Sequence, residues 1–163
     1  MIVTDLEFLK RPCKDVSLFE AYDIIKQLEL NLFDPHGIGL AANQIGINAR
    51  VVILRTRSCY LDLVNPIIVN KYDLCSFDRD SCLSFPGVRL ITQRYNEIFL
   101  KDLLHPAGII LTGLDSVVAQ HECDHIDGIT LFDRQIKIPF KSQPCWCGSG
   151  KKFKVCHYGW EIK

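Results

Sequence analysis

Two histidines flank a glutamate in the segment His121-Glu122-Cys123-Asp124-His125. On a helix, residues i and i+4 share one face, so both imidazoles could bind one metal ion. A metal ion lowers the pKa of a bound water and polarises a carbonyl, and the adjacent carboxylate could move the proton. The same pentapeptide also occurs on solvated helices that bind no metal, so HExxH alone leaves both interpretations open.

Two other segments favour the metal site, namely GIGLAANQ at residues 37–44 and DSCLSFPG at residues 80–87. The first matches the pattern GxGxAAxQ and the second contains CLSxPG. In this order and at this spacing, these segments and QHECDHIDG at residues 120–128 resemble the three motifs of the peptide deformylases. The resemblance covers roughly residues 1–136. It implies a metal-dependent hydrolase that removes the N-formyl group from the N-terminal formylmethionine of new polypeptides and releases formate.

The resemblance assigns roles to named residues. It implies three ligands for a catalytic divalent metal, with water as the fourth: Cys82, His121 and His125. Glu122 would take a proton from that water and return it to the leaving amine. The Gln44 side chain and the Leu83 backbone N–H would stabilise the charge on the formyl oxygen. Fe²⁺ is the family's typical metal, and Zn²⁺, Ni²⁺ or Co²⁺ would also suit two nitrogens and one sulfur.

The methionine side chain of such a substrate would enter an apolar pocket. By the resemblance, the substrate-binding positions are one glycine and four aliphatic residues: Ile38, Gly39, Leu114, Val117 and Val118. Ordinary core packing is the alternative for the aliphatic four. The exposed backbone around the glycine could pair with the peptide as an added strand.

Asp80-Ser81 departs from the family pattern, which has Glu-Gly before the metal cysteine. Aspartate keeps the charge on a shorter arm, whereas serine loses the backbone freedom of glycine. The departure therefore bears on the geometry of this loop and on the rate more than on the metal site. Arg94 is a candidate partner for the carboxylate of Asp80.

A second group of metal-binding residue types lies near the carboxyl end, in the segment CWCGSGKKFKVCH at residues 145–157. It supplies a Cys₃His complement for structural Zn²⁺: Cys145, Cys147, Cys156 and His157. The segment resembles the SEC-C motif found at the carboxyl end of the translocase motor SecA, with Trp146 where proline is common. Zinc would supply the folding free energy of so small a module.

The distribution of charge also separates the carboxyl end from the rest of the chain. The totals are 19 basic and 19 acidic residues, but residues 135–163 hold six lysines and one acid, whereas residues 1–134 hold 13 basic and 18 acidic residues. Residues 135–163 thus carry a net charge of +5 and residues 1–134 a net charge of −5. Four aromatic residues in the tail are expected to be exposed: Trp146, Phe153, Tyr158 and Trp160. Such a tail could bind the ribosome, through RNA or protein; the alternative is a metal-stapled cap that serves stability alone.

The sequence also predicts the elements that position these residues. Apolar spacing predicts a helix over 17–33, with Ser17 as N-cap and Asp34-Pro35 ending it. Runs of β-branched and aromatic residues predict strands over 50–56, 62–70, 95–103 and 109–113. A second helix over 115–127 would end at Gly128. We expect an α+β fold with mixed or antiparallel sheets around the HExxH helix, a catalytic domain over 1–138 and a zinc knuckle over 139–163.

Composition excludes other classes of protein. There is no apolar stretch of about 18 residues, and neither a signal peptide nor a membrane partner is predicted. Eight cysteines without a secretory signal favour a reducing compartment, and we expect the cytoplasm, an organelle matrix or a phage-infected cell. We also expect a monomer. Two alternatives remain: an HExxH zinc endopeptidase, and a catalytically weak deformylase-like protein that acts through its zinc tail.

Overall fold

The computed structural model describes residues 1–32, 37–159 and 161–162. Its helices are α1 (Leu6–Leu9), α2 (Leu18–Asn31), α3 (Gly113–Ile126) and α4 (Phe153–Cys156), with a 3₁₀ helix at Ala42–Ile45. Its strands are β1 (Gly39–Ala41), β2 (Val51–Arg55), β3 (Tyr60–Val64), β4 (Ile67–Asp80), β5 (Leu90–Lys101), β6 (Ile109–Thr112) and β7 (Glu161–Ile162). The architecture is α+β, as the sequence predicts.

Helix α2 begins where its capping residues dictate. Ser17 accepts a hydrogen bond from the Glu20 backbone N–H, and Glu20 accepts one from the Ser17 backbone N–H, which forms a capping box. The prediction of Ser17 as N-cap is therefore confirmed. The predicted end at Asp34-Pro35 lies outside the described residues, and α2 itself ends at Asn31.

The strands form two sheets. One is antiparallel with the order β1-β2-β3, and the other has the order β6-β5-β4-β7, in which β7 is parallel to β4. The prediction of one strand over 62–70 is wrong, because Asn65 adopts a left-handed φ of 52° and Pro66 follows it, so β3 ends and β4 begins there. Strand β4 also continues through a polar stretch to Asp80, and it pairs with β5 along this stretch except for a shift of register between Phe77 and Asp80.

Helix α3 occupies the interior between the sheets. From Ser116 to Ile126 every residue is buried. One apolar cluster joins α3 to strands β1, β2, β3 and β5, and a second joins α2 to the other side of the three-stranded sheet. Because the polar side chains of α3 are removed from water, each needs a partner inside the protein or a ligand. This burial makes α3 the frame of the site described next.

The end of α3 is fixed by a close backbone contact. The helix ends at Ile126, and Gly128 then turns the chain with a φ of +74°. A Cβ atom at Gly128 would lie 2.5 Å from the Lys10 carbonyl oxygen, so only glycine fits both the conformation and the space. Among the described residues, no helix has the length and apolar character needed to cross a membrane.

Candidate active site and tail metal cluster

Three buried side chains converge where α3 meets the loop after β4. The candidate ligand atoms of Cys82, His121 and His125 all lie within 4.8 Å of one another, and Cys82 Sγ is 3.1 Å from His125 Nε2. The helix supplies both histidines one turn apart on one face. Metal–sulfur and metal–nitrogen bonds of about 2.0–2.3 Å place the ligands of a tetrahedral site roughly 3–4 Å apart. The cluster therefore fits a transition metal with two nitrogen ligands and one sulfur ligand.

Hydrogen bonds fix the orientation of the first histidine. His121 Nδ1 lies 2.9 Å from Asp80 Oδ1, which leaves Nε2 for a metal. Burial disfavours protonation of His121, but the carboxylate of Asp80 outweighs it and raises the pKa of the imidazole. His125 lies deeper, and burial lowers its pKa well below the usual value, so its ring is neutral as a metal ligand must be.

Asp80 joins the site to a buried ionic network. Its Oδ2 accepts hydrogen bonds from Thr92 Oγ1 at 2.8 Å and from Arg94 Nη2 at 2.8 Å. Burial opposes ionisation of Asp80, but the positive charges of His121 and Arg94 outweigh it and hold its pKa well below its ordinary value. The expected pairing of Asp80 with Arg94 is therefore confirmed. The short aspartate arm reaches the arginine and the histidine at once.

The same network contains two residues that the sequence reasoning missed. Arg94 also donates to Asp124, and Asp124 Oδ1 accepts a hydrogen bond from Arg134 Nη2 at 2.6 Å. The sequence signal for both was present, since Asp124 lies inside HExxH and Arg134 follows the third motif. Arg94 is 1% exposed, so the two aspartates compensate a charge that is almost completely removed from water.

Glu122 lies beside the histidines with one oxygen unsatisfied. Its Oε2 is buried and has no hydrogen-bond partner among the described residues. Burial raises the pKa of Glu122 to about 7, against the opposing effect of the His121 charge. A Cβ atom at Gly39 would lie 2.6 Å from Glu122 Oε1 and 2.9 Å from the Val118 side chain. Glycine thus lets strand β1 pass close to the carboxylate.

Gln44 presents its amide nitrogen to the cysteine. Its Oε1 accepts a hydrogen bond from the Ala41 backbone N–H at 2.9 Å, which orients the amide group. Its Nε2 donates to Ser84 Oγ at 3.2 Å and lies 3.4 Å from Cys82 Sγ. Ser84 is completely buried and was also missed, although it lies within the CLSxPG segment.

A cavity of about 640 Å³ opens onto these side chains. Its lining includes four of the polar residues above: Gln44, Cys82, His121 and Glu122. It also includes Leu83 and all five predicted pocket residues: Ile38, Gly39, Leu114, Val117 and Val118. Val118 belongs to the hydrophobic core as well, so lining and core packing are not exclusive there. The size falls within the range of small-molecule sites.

A second cluster lies in the tail. The candidate ligand atoms of Cys145, Cys147, Cys156 and His157 all lie within 4.8 Å of one another, so these residues could hold a metal ion. The Cys145 backbone N–H donates to the Lys151 carbonyl at 2.8 Å, which closes the loop between the first two cysteines and α4. The four side chains fit a structural zinc site.

The expectation of four exposed tail aromatics is partly wrong. Phe153 is 3% exposed and contacts the Tyr158 ring edge-on. A module of this size needs at least one core side chain, and Phe153 supplies it. Trp146 is half-buried against the His157 ring. Tyr158 is 50% exposed, as predicted, and Trp160 lies outside the described residues.

Comparison with known proteins agrees with this geometry. The profile of the family Polypeptide deformylase matches residues 1–140, and that of the SEC-C motif matches residues 142–159. A peptide deformylase of Aquifex aeolicus is 31% identical over 82% of this chain and 85% of its own length.

Solved structures give the same result. The deformylase of the Vibrio parahaemolyticus bacteriophage VP16T, in complex with actinonin, is 29% identical with a TM-score of 0.71, over 79% of this chain and 98% of the phage protein. A Met-Ala-Ser-bound deformylase of Acinetobacter baumannii is 25% identical with a TM-score of 0.73, over 82% of this chain and 96% of that one. The chain therefore belongs to the peptide deformylases, a family of metallohydrolases, and carries a SEC-C motif at its carboxyl end.

Proposed function

We propose that the protein removes the N-formyl group from the N-terminal formylmethionine of newly made polypeptides and releases formate. The observation that carries the proposal is the cavity in which Glu122, with its unsatisfied oxygen, lies beside the cluster of Cys82, His121 and His125. The Met-Ala-Ser bound to the Acinetobacter relative has the form of a deformylated peptide. An acidic group next to a metal site with room for a peptide suits hydrolysis of an amide.

The metal ligands in this proposal are the three clustered side chains, and Fe²⁺ is the proposed ion, with Zn²⁺, Ni²⁺ or Co²⁺ as substitutes. When bound, the ion would supply Lewis acidity and a more acidic water. Asp80 holds His121 through Nδ1, which leaves its Nε2 as the atom that would bind the ion. Burial keeps His125 neutral and ready to bind.

The other residues would act on the water and the substrate. Glu122 takes a proton from the attacking water, whose oxygen adds to the formyl carbon. The carbon–nitrogen bond then breaks, and Glu122 returns the proton to the amine as formate leaves. The Gln44 amide and the Leu83 N–H donate to the formyl oxygen as its charge grows.

The cavity would take the amino-terminal methionine. Its aliphatic lining residues would contact the methionine side chain: Ile38, Leu114, Val117 and Val118. At Gly39 the backbone of β1 is close to Glu122, and a peptide lying along it would bring its first amide to the carboxylate. The substrate pocket and the proton-transfer group therefore share one wall.

Mass spectrometry tests the proposal. The metal-loaded protein is incubated with formyl-Met-Ala-Ser amide and with a longer unformylated peptide. We expect loss of the formyl group alone, and no internal cleavage of either peptide. Internal cleavage would instead support the zinc endopeptidase, and absence of both reactions would support a binding protein without this activity.

Gln44→Ala is expected to lower kcat by about 10²–10³-fold, because one donor to the developing oxyanion is lost. KM and the metal content should change little, because Gln44 is a neighbour of the ligand Cys82 and is not itself a candidate ligand. Steady-state kinetics with metal analysis measures all three. Ser84→Ala, which removes only the partner of Gln44 Nε2, is the matched control and should lower kcat much less. Equal losses in the two variants would contradict a direct role for Gln44.

We propose further that residues 1–138 form the catalytic domain and that residues 139–163 form a zinc-bound tail. The tail would dock the protein on the ribosome. The location would be the cytoplasm, an organelle matrix or a phage-infected cell. We propose that the protein acts as a monomer. Four lysines of the tail are exposed: Lys141, Lys151, Lys152 and Lys154. Val155 and Tyr158 lie beside them at 70% and 50% exposure. Cationic and aromatic groups together suit the phosphates and bases of RNA.

Replacing Lys151, Lys152 and Lys154 by glutamate should abolish co-sedimentation with ribosomes at low salt, because counterion release drives such binding. The variant leaves the four candidate zinc ligands in place, so its zinc content should equal that of the unchanged protein. The matched control replaces three exposed lysines outside the tail by glutamate: Lys14, Lys26 and Lys71. Deletion of residues 139–163 should have the same effect as the triple variant. Binding that survives the deletion would contradict the docking role and leave the tail a stabilising cap.

A further inference from the structure

The mouth of the cavity, meaning the exposed part of its lining, carries two arginines. Two acids and two arginines line the cavity: Asp80, Glu122, Arg79 and Arg89. The two acids are buried at 3% and 5% exposure, and Asp80 is already paired with Arg94. Both arginines are exposed. An incoming peptide therefore meets two guanidinium groups, although residues 1–134 as a whole carry a net charge of −5.

Arg79 lies in this lining with an unusual backbone conformation. The pairing of β4 with β5 shifts register between Phe77 and Asp80, which is the mark of a β-bulge. Within the bulge Arg79 has a φ of +63°, a left-handed conformation that long side chains rarely adopt. Bulges next to active sites redirect side chains, and strained backbone at such places is retained when it serves a function.

The charge of Arg79 is largely available to a ligand. Arg79 Nε lies 3.7 Å from Asp78 Oδ2, and the side chains of Arg79 and Asp78 are 76% and 53% exposed respectively. Such an exposed pair is weak and easily exchanged for a better partner. A guanidinium group presents two further nitrogens in a planar fork, which suits a carboxylate.

We propose that Arg79 gives the enzyme a preference for formyl peptides that carry an acidic side chain among the residues after methionine. This inference rests on the proposed deformylase function, since the formylated end must lie at the metal cluster for the following residues to reach the mouth. The ligand chemistry is a carboxylate that projects from the extended peptide. Arg89 adds to the local positive charge but lies outside the bulge.

The test compares C-terminally amidated peptides formyl-Met-Xaa-Ala-Ser, formyl-Met-Ala-Xaa-Ser and formyl-Met-Ala-Ser-Xaa, with Glu or Gln as Xaa. The readout is the ratio of kcat/KM for the Glu peptide to that for the Gln peptide. We expect a ratio of about two to five for at least one position, as an exposed ion pair provides. The ratio should fall to one in Arg79→Gln, persist in part in Arg79→Lys, and fall towards one at high salt.

The controls separate this inference from the proposed function. Arg57→Gln, an exposed arginine outside the cavity lining, should keep the ratio of the unchanged protein. Formate release at equal rates from all peptides, or a preference removed by Arg89→Gln but not by Arg79→Gln, would overturn the inference. The inference would also be overturned if the enzyme preferred formyl-Met-Ala-Ser with a free terminal carboxylate to the amidated peptide, but did not distinguish Glu from Gln peptides. No formate from any peptide would instead overturn the proposed function.

Discussion

Glu122→Gln is expected to lower kcat for formate release by about 10²–10⁴-fold without loss of the metal. The amide keeps the size of the carboxylate, so the close contact with Gly39 and the packing of α3 are preserved. It cannot take a proton from water or hand one to the leaving amine. The buried, unsatisfied Oε2 marks the place where that proton would be received. Initial rates at saturating substrate, combined with metal analysis of the same samples, measure the effect.

The matched control for this variant is Glu7→Gln, which changes an exposed glutamate in α1 far from the cavity lining. Its kcat should equal that of the unchanged protein. A Glu122→Gln variant that keeps its metal and works within about three-fold of the unchanged rate would show that another group carries the proton. Loss of metal in the variant would instead place Glu122 in the support of the cluster.

Arg94→Met is expected to lower the free energy of unfolding by about 3–5 kcal/mol, because it leaves two buried carboxylates without their shared partner. Arg94 hydrogen-bonds with Asp80 on one side and with Asp124 on the other. Burial disfavours its positive charge, but the two aspartates outweigh the burial and raise its pKa. Methionine fills a similar length without charge. Urea unfolding of the metal-loaded protein measures the change.

Two comparisons make the stability result specific. Arg57→Met alters an exposed arginine and should change the free energy of unfolding by no more than about 0.5 kcal/mol. In the Arg94 variant Asp124 retains Arg134, a cation, whereas Asp80 retains His121 and Thr92 among the described residues. Because Asp80 orients the ligand His121, metal affinity should fall along with stability. A loss of less than about 1 kcal/mol would mean that water enters and solvates the two carboxylates.

The residues that meet at the site could be predicted where they lie in short motifs. HExxH places its two histidines on one helix face by the helical repeat alone. The position of Cys82 beside them follows from the resemblance, since no local rule relates a cysteine to histidines 39 and 43 residues away. Ser84 and Asp124 lie inside the motifs but have their roles only through the folded contacts of Gln44 and Arg94.

The misses in the fold have physical causes. Asn65 and Pro66 interrupt an otherwise apolar run, and two strands form in place of the predicted one because the left-handed Asn65 and the proline after it break the extended conformation. The end of β4 is too polar for a pattern of β-branched residues, and its place in the sheet depends on pairing with β5 and β7, which are distant in the sequence. In the tail, charge dominates the local sequence and conceals that Phe153 is the core of the module.

The most direct measurement is the stoichiometry of products from formyl-Met-Ala-Ser amide as metal is removed and restored. We expect equal amounts of formate and Met-Ala-Ser amide, loss of both on chelation, recovery on addition of Fe²⁺ or Ni²⁺, and no recovery in Glu122→Gln. Failure of the metal-loaded protein to release formate, or equal release by Glu122→Gln, would contradict metal-dependent deformylation through Glu122.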